Sequence, residues 1–529
     1  MSTSSKSLAV GFFLAVTLGS CRSPTGSGGP PGQTRIPFSP TARELPTVPY
    51  HLMGLALADL DGDGFDDIAV AAGVEWKVGP VLVYYNDGHG AFPAAPWRSA
   101  NDAMYSGVAI ADVDHDGCLD VAVSYGHDGY LGEGGLAVFF NRPIPGGGGR
   151  CALEQRPGWS IGYRPDVTAD GGLPATARAN GSFQPTGIAF GDANGDGWPD
   201  LAVAIFNVVP SQGGPSPGAP ARIYYNQHGT LSLVPDWAVT VHQGDAGVDS
   251  MPGMAVKFDD WNGDGWLDLV VGTSQGLLAF PGGRDDAGHV HVRAVDPWRP
   301  VSTEPQPAPF LDITPHRDGE AADLVASYTS CDFAMGTKPS RVTAYRPATG
   351  PRPSWEAAKA SCNSGVAVAD VDSDGIADLV AGSWGDDPQH LDGVPLRVFS
   401  GKGGSFSPNP WESSSRVLAE AVALSDLDNS AVSPKKETFQ PSRGQGVVTL
   451  STHVVQRVES ITRDGRALRK GEYLWVPGAR WVSFSEPLKA GETVVVTYAW
   501  SSEPDIVVAN YGLNRELAGS VMIFDHLRR

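Results

Sequence analysis

Five nine-residue stretches space acidic side chains as a hard cation would require. The first runs DLDGDGFDD from Asp59 to Asp67, and the others begin at Asp112, Asp192, Asp260 and Asp370. Positions one, three, five and nine supply side-chain oxygens: Asp59, Asp61, Asp63 and Asp67; Asp112, Asp114, Asp116 and Asp120; Asp192, Asn194, Asp196 and Asp200; Asp260, Asn262, Asp264 and Asp268; Asp370, Asp372, Asp374 and Asp378. Position seven offers a backbone carbonyl, from Phe65, Cys118, Trp198, Trp266 or Ile376. Carboxylate, amide and carbonyl oxygens are the donors such an ion prefers, and Gly at position six permits the tight turn that gathers them.

The elements that position these loops are strands. An EF-hand shares the first half of the spacing but needs a bidentate Glu at position twelve and a helix on each side. Position twelve here is Val70, Val123, Val203, Val271 or Ala381. After each loop comes a short apolar run (IAVAAG, VAVSYG, LAVAIF, LVVGTS, LVAGSW), rich in β-branched or small residues and soon ended by Gly or polar residues. Such runs read as buried strands. Each loop therefore joins two strands.

The loop is one part of a larger repeat. Counting two worn copies at Asp312 and Asp426, first positions recur at intervals of 53, 80, 68, 52, 58 and 56 residues, giving seven units. Each unit has a strand before the loop, the apolar strand after it, and a third strand with aromatic alternation such as VLVYYN (81–86) or LAVFFN (136–141). Units one to six then close on Trp97, Trp159, Trp237, Trp298, Trp355 and Trp411, each one or two residues after a Pro. Regular Trp residues of this kind suit packing between units better than ligand platforms. A four-stranded unit repeated seven times predicts an all-β fold, a seven-bladed β-propeller. The last unit lacks a fourth strand, so the segment 36–46 is expected to supply it and close the ring. Residues 431–502 interrupt the seventh loop with strand-like alternation and are expected to form a small inserted β-module. Its basic residues allow either docking on the acidic propeller or a separate partner surface. Its aromatics suit a small core better than sugar stacking.

Composition narrows the function. The chain has 529 residues and a formal charge of −21, and the ligand positions of the five loops hold 18 carboxylates. The acidity therefore belongs to the loops, and it argues against nucleic acid as a partner. No HExxH, Walker or CxxC motif is present.

With these residues in view, the chain resembles the FG-GAP/VCBS repeat family, which includes the integrin α-subunit propeller. The likeness spans residues 36–430 and 503–529. It implies Ca²⁺ in each intact loop, about five ions, bound through the first, third, fifth and ninth residues. It is less informative about activity, since such propellers serve as adhesion receptors, lectin-like proteins and some enzymes. Unit five contains Arg317 and is too long, so no metal is expected there; in unit seven the loop has become an insertion point.

The N-terminus reads as an address. Lys6 precedes the apolar stretch Leu8–Leu18, and Leu18-Gly19-Ser20-Cys21 is similar to a bacterial lipobox. By that similarity residues 1–21 are a lipoprotein signal peptide, Cys21 is lipidated, and Arg22 directs the protein to the outer membrane of the cell envelope. Residues 22–35 form a Gly/Pro/Ser tether. Export places Cys118, Cys151, Cys331 and Cys362 in an oxidising compartment. Three pairings are possible, and blade topology favours 118–151 with 331–362. The expectation is a monomeric, non-enzymatic binding or adhesion scaffold for a protein or glycan, touching membrane only through its lipid. Its long excursions 142–180 and 207–220 are candidate binding loops. The alternative is a carbohydrate-active lyase or hydrolase, or a phosphoesterase, on the same scaffold.

Overall fold

The computed structural model describes residues 36–527, except 75–76, 127–133, 164–181, 210–219, 240–252, 274–275, 295–296, 300–308, 315–322, 329–340, 347–349, 387–392, 404, 442–443, 453 and 513–517. All regular structure among the described residues is β-strand. Cys21, residues 22–35 and Cys331 lie outside them.

Among the described residues, seven sheets of three or four strands follow one another along the propeller sequence. In the first, Leu52–Ala58, Asp67–Val74, Lys77–Tyr84 and Trp97–Arg98 lie side by side and antiparallel. The same order recurs in the sheets that open with Tyr105–Ala111, Ser182–Gly191, Pro309–Thr314 and Cys362–Ala369. The sheet opening with Gly253–Asp259 has three strands, its fourth being reduced to a single bridge between Ala279 and Trp298. The last sheet combines Ala419–Ser425, Asp505–Asn510 and Ser520–Phe524 with Arg43–Glu44, in the register Arg43 opposite Ile523. First strands touch in chain order, and that of the last sheet touches that of the first. The ring is a β-propeller closed by joining both ends of the described chain in one sheet.

Middle strands explain the unbroken apolar runs. Asp120–Tyr125 and Gly134–Phe139 are buried at every residue, because each faces a neighbouring sheet on both sides. The closing Trp residues bridge sheets. Trp97 meets Phe139 edge-on at 6.3 Å, Trp159 meets Tyr224 at 6.3 Å, and Trp237 meets Phe280 at 5.5 Å. Trp298 and Trp355 repeat the arrangement against Tyr345 and Phe399, and Trp411 meets Phe38 at 6.3 Å with the rings tilted. Two of these indoles also donate to a backbone carbonyl of the following blade: Trp159 Nε1 to Leu231 at 2.8 Å and Trp237 Nε1 to Val292 at 2.9 Å.

Residues 431–502 form two small sheets, one ordering Val432–Phe439, Val494–Ser501, Val454–Arg463 and Arg466–Ala467, the other Gln445–Thr449, Trp481–Leu488 and Tyr473–Leu474. The polar opening of the module is thus a full strand, paired along its length with Val494–Ser501. Its aromatics serve packing: Trp481 and Tyr498 are buried, and the Trp475 indole donates to Ala479. The module folds back onto the loop-bearing face. Gly446 and Val447 donate to the Gly265 carbonyl, Trp481 Nε1 donates to Phe258, and Gln456 donates to the Asp426 carbonyl. Its basic residues are spent mainly at home, Arg463 on Glu492 and Arg466 on Glu472. Beneath it the inner strands enclose a cavity of about 330 Å³, walled by Ala56, Ile110, Ala189 and Val368 and roofed by Val455, Gln456 and Trp481.

Trp237→Ala removes an interblade ring contact and leaves the Val292 carbonyl without its donor, so it should lower stability by about 3–5 kcal/mol, measured by denaturant unfolding.

Candidate metal-binding loops

Each intact loop is wound around the carboxylate at its first position. Asp59 accepts from the backbone N–H groups of Gly62, Asp63 and Gly64 at 2.8, 3.0 and 2.8 Å. Asp192 accepts from Asp196 and Gly197, Asp370 from Asp374 and Gly375, Asp260 from Gly265 and Asp112 from Gly117. The carboxylate at position five accepts from the N–H of position seven, in Phe65, Cys118, Trp198, Trp266 and Ile376 alike. Such winding needs left-handed backbone at two places. Position six is Gly throughout, with φ of 94° at Gly64 and 83° at Gly197, where a Cβ would be strained. Position four is left-handed as well: Gly62, Gly195 and Gly263 sit there in three loops, while His115 (φ 58°) and Ser373 (φ 62°) occupy it with side chains.

The ninth position does something different. Both oxygens of its carboxylate hold backbone, one from the loop itself and the other from just past the third strand. Asp67 accepts from Leu60 N at 2.9 Å and from Asn86 N, at the end of the third strand, at 2.8 Å. Asp120 takes the same pair from Val113 and Asn141, Asp200 from Ala193 and Asn226, and Asp378 from Val371 and Gly401. Asp268 accepts from Gly282 at 2.7 Å and, more loosely, from Asn262. All five are fully buried. Burial pushes Asp67 and Asp120 up to about 8 and Asp378 up to about 7, and raises Asp200 and Asp268 well above the ordinary carboxylate value, with nearby loop carboxylates adding to the shift.

A set of residues absent from the sequence reading ties neighbouring loops together. Asn86, Asn141 and Asn226 end the third strands of the first three blades. Each uses Nδ2 twice: on the carbonyl at position eight of its own loop (Asp66, Leu119, Pro199) and on the carbonyl at position two of the preceding loop (Leu427, Leu60, Val113). The signal was present in the strand endings YYN, FFN and YYN.

Three loops bring carboxylates together for an ion. In each of the sets Asp59, Asp61 and Asp67; Asp112, Asp114 and Asp120; and Asp370, Asp372 and Asp374, one oxygen per residue lies within 4.8 Å of the others. The loops of blades three and four carry Asn194 and Asn262 at position three, so one donor there is neutral. An all-oxygen set of this kind fits calcium rather than a soft transition metal. Basic side chains already lie against two of the sets. Arg150 reaches Asp61 at 2.5 Å and Asp63 at 3.3 Å, Arg142 pairs with Asp114 and Asp116, and Lys470 of the inserted module pairs with Asp112.

The two irregular units differ from each other. Thr314 pairs with Asp323 as Ala58 pairs with Asp67, so Asp323 takes the ninth position in blade five. Asp312 then lies inside its strand, opposite Val325, three residues before a loop would begin. The worn copy is misregistered there, and the loop itself, with Arg317, lies outside the described residues. Blade seven keeps the frame despite its insertion. Asp426 accepts from Ser430 and Ala431, and Asp505 accepts from Leu427 at 3.1 Å and His526 at 2.8 Å, the bonds made by positions one and nine elsewhere.

Cysteine chemistry reaches the same loops. Cys118, at position seven of the second loop, forms a disulfide with Cys151. Cys362 is also disulfide-bonded, and Cys331, its expected partner, is not among the described residues.

Two outcomes follow. Asn226→Ala leaves two buried carbonyls without donors and should cost about 1–3 kcal/mol, read by chemical denaturation. In chelator, the raised carboxyls at position nine bind protons more tightly folded than unfolded. Their contribution is complete below the unfolded value of 3.8 and lost as pH rises through about 7 to 8. The metal-free protein should therefore melt at a lower temperature at pH ~8 than at pH ~5, seen by scanning calorimetry at matched ionic strength.

Residues 59–123 match the family model described as an FG-GAP-like repeat. Integrin alpha-4 of Xenopus laevis is 33% identical over 102 residues, which is 18% of this chain and 10% of that protein. The chain thus spans about a tenth of the length of this curated relative. Among solved structures, the Dos1 propeller aligns over 92% of this chain and 95% of its own at 7% identity and a TM-score of 0.31. An Agrocybe aegerita lectin that recognises non-reducing terminal N-acetylglucosamine aligns over 69% and 81%, at 17% identity and 0.33. The rhamnogalacturonan lyase of Bacillus licheniformis aligns over 94% and 76%, at 13% and 0.35. At these scores the likenesses carry no argument about activity. Residues 59–123 thus carry an FG-GAP-like repeat, and the same loop-and-strand unit recurs around the ring.

Proposed function

We propose that this protein is a calcium-stabilised, lipid-anchored propeller of the bacterial cell envelope that acts as a non-enzymatic binding or adhesion scaffold for a protein or glycan. The observation that carries this reading is the use made of the loop carboxylates. Positions one, five and nine are each committed to backbone N–H groups, and position nine fastens two strands through its two oxygens. Groups so committed brace a frame rather than activate water or take protons from a substrate. Calcium, held by positions one, three, five and nine with the carbonyl of position seven, would supply the positive charge these buried oxygens lack.

Topology supports a division of labour between the two faces. The loop-bearing face is bound to the inserted module, which roofs the ring interior. The hairpin Asn141–Pro143 and Cys151–Leu153, at the start of one expected binding excursion, is fastened to the loops of blades one and two. The strands Trp159–Tyr163 and Asp200–Val209 end, and Ser182–Gly191 and Ala221–Tyr224 begin, at the face opposite the loops, and we assign ligand binding to that side. The Cys118–Cys151 disulfide suits an oxidising, extracytoplasmic location, in keeping with lipidation at Cys21. No helix of the described residues is long and apolar enough to cross a membrane.

The test is capture of glycans and envelope proteins by the full chain, with and without chelator, beside hydrolase, lyase and phosphoesterase assays on the captured ligands. Calcium-dependent retention without turnover is expected, with Cys21→Ser moving the protein from the membrane to the soluble fraction. Turnover of any captured polymer or phosphoester would replace the scaffold by the enzyme reading.

A further inference from the structure

The loops of blades one and two differ from that of blade three in what faces their third position. Asp61 and Asp114 occupy it in the first two, Asn194 in the third. The two carboxylates each meet a guanidinium, and both guanidiniums come from one hairpin. Arg150 lies on Asp61 at 2.5 Å and on Asp63 at 3.3 Å. Arg142 pairs with Asp114 and lies 3.2 Å from Asp116, with its Nε 3.7 Å from Glu154 and its guanidinium over the Phe140 ring. In blade three, among the described residues, Asp192 takes a neutral partner instead, the Ser483 hydroxyl at 2.9 Å.

The hairpin is built to hold this position. Asn141–Pro143 pairs with Cys151–Leu153, placing Arg142 opposite Ala152. Cys151 is fixed to the second loop by its disulfide with Cys118 and to the first by its N–H on the Asp61 carbonyl at 2.9 Å. The fit against the first loop is close: a Cβ on Gly62 would come within 2.3 Å of the Gly149 carbonyl oxygen. The arginine at the end of so constrained a turn has few alternatives to the carboxylates beneath it. A singly charged guanidinium satisfies part of a four-carboxylate loop, and a divalent ion entering that loop must displace it or share its oxygens.

Resting on the calcium reading given above, we propose that Arg150 and Arg142 are built-in counter-cations that compete with calcium for the loops of blades one and two. These two loops then bind calcium more weakly than the loop of blade three and keep their shape when it is withdrawn.

The test is calorimetric calcium titration of the full chain, using calcium alone as ligand. Arg150→Gln and Arg142→Gln should each tighten one weak site by about fivefold, the scale of a half-exposed ion pair, while Arg150→Lys, which keeps the charge, should remain near wild type. Unchanged or weaker binding in both glutamine variants would overturn the inference, weaker binding meaning that the arginines orient the carboxylates for the ion. Equal tightening by Arg150→Lys would overturn it too, since charge would not be the cause. If one glutamine variant fails to fold, the other decides. A wild-type chain that takes up no calcium at all would instead refute the reading on which this one stands.

Discussion

A carboxylate withdrawn from water, with a backbone N–H on each oxygen, is an arrangement that needs charge to hold it. Without compensation it takes up a proton and gives up part of its accepting capacity. Such a group recurs at the ninth loop position around the ring, and each one joins the turn after the first strand to the end of the third. A hydrogen bond to a charged acceptor contributes about 1.5–3 kcal/mol, and two per blade fix the relative position of three strands. The short outer strands, two residues long at Trp97–Arg98 and at Trp237–Ala238, add little ladder of their own. The corners at the loop face therefore carry much of each blade's definition.

From that constraint the remaining features fall into place. The position-one carboxylate and the left-handed residues at four and six wind the loop so that its acidic side chains converge. The Asn residues ending the third strands carry the order from blade to blade by clasping two successive loops. The inserted module grows from the seventh loop without disturbing it, because Asp426 and Asp505 still make their bonds across the insertion. It then settles on the same face, where its hydroxyl, amide and ammonium groups meet loop oxygens.

The loops were legible in sequence because their determinants lie within nine residues of one another. The strands were legible because burial on both sides removes polar alternation. Ring closure by Arg43–Glu44 could be inferred only by noticing that the last unit had no fourth strand. Three features escaped. The Asn clasps bind partners up to 341 residues away, at Leu427 for Asn86, so no local pattern marks their purpose. The pairing of Arg142 and Arg150 with loop carboxylates depends on how one hairpin lies across two blades. Asp312 was misplaced because an acidic residue near the expected interval resembles a first position until strand register puts it inside the strand. In each case the missing information was tertiary: which neighbour a correctly read element is folded against.

The central claim is that divalent ions keep these buried corners charged and so hold the ring. Thermal melting of the full chain, loaded with calcium and then in excess chelator at neutral pH, tests it most directly. The account predicts a clear fall in melting temperature on chelation, reversed by restoring calcium, because an ion bound only by the folded form stabilises it by linkage. Identical melting curves, starting from protein shown to contain calcium, would contradict it.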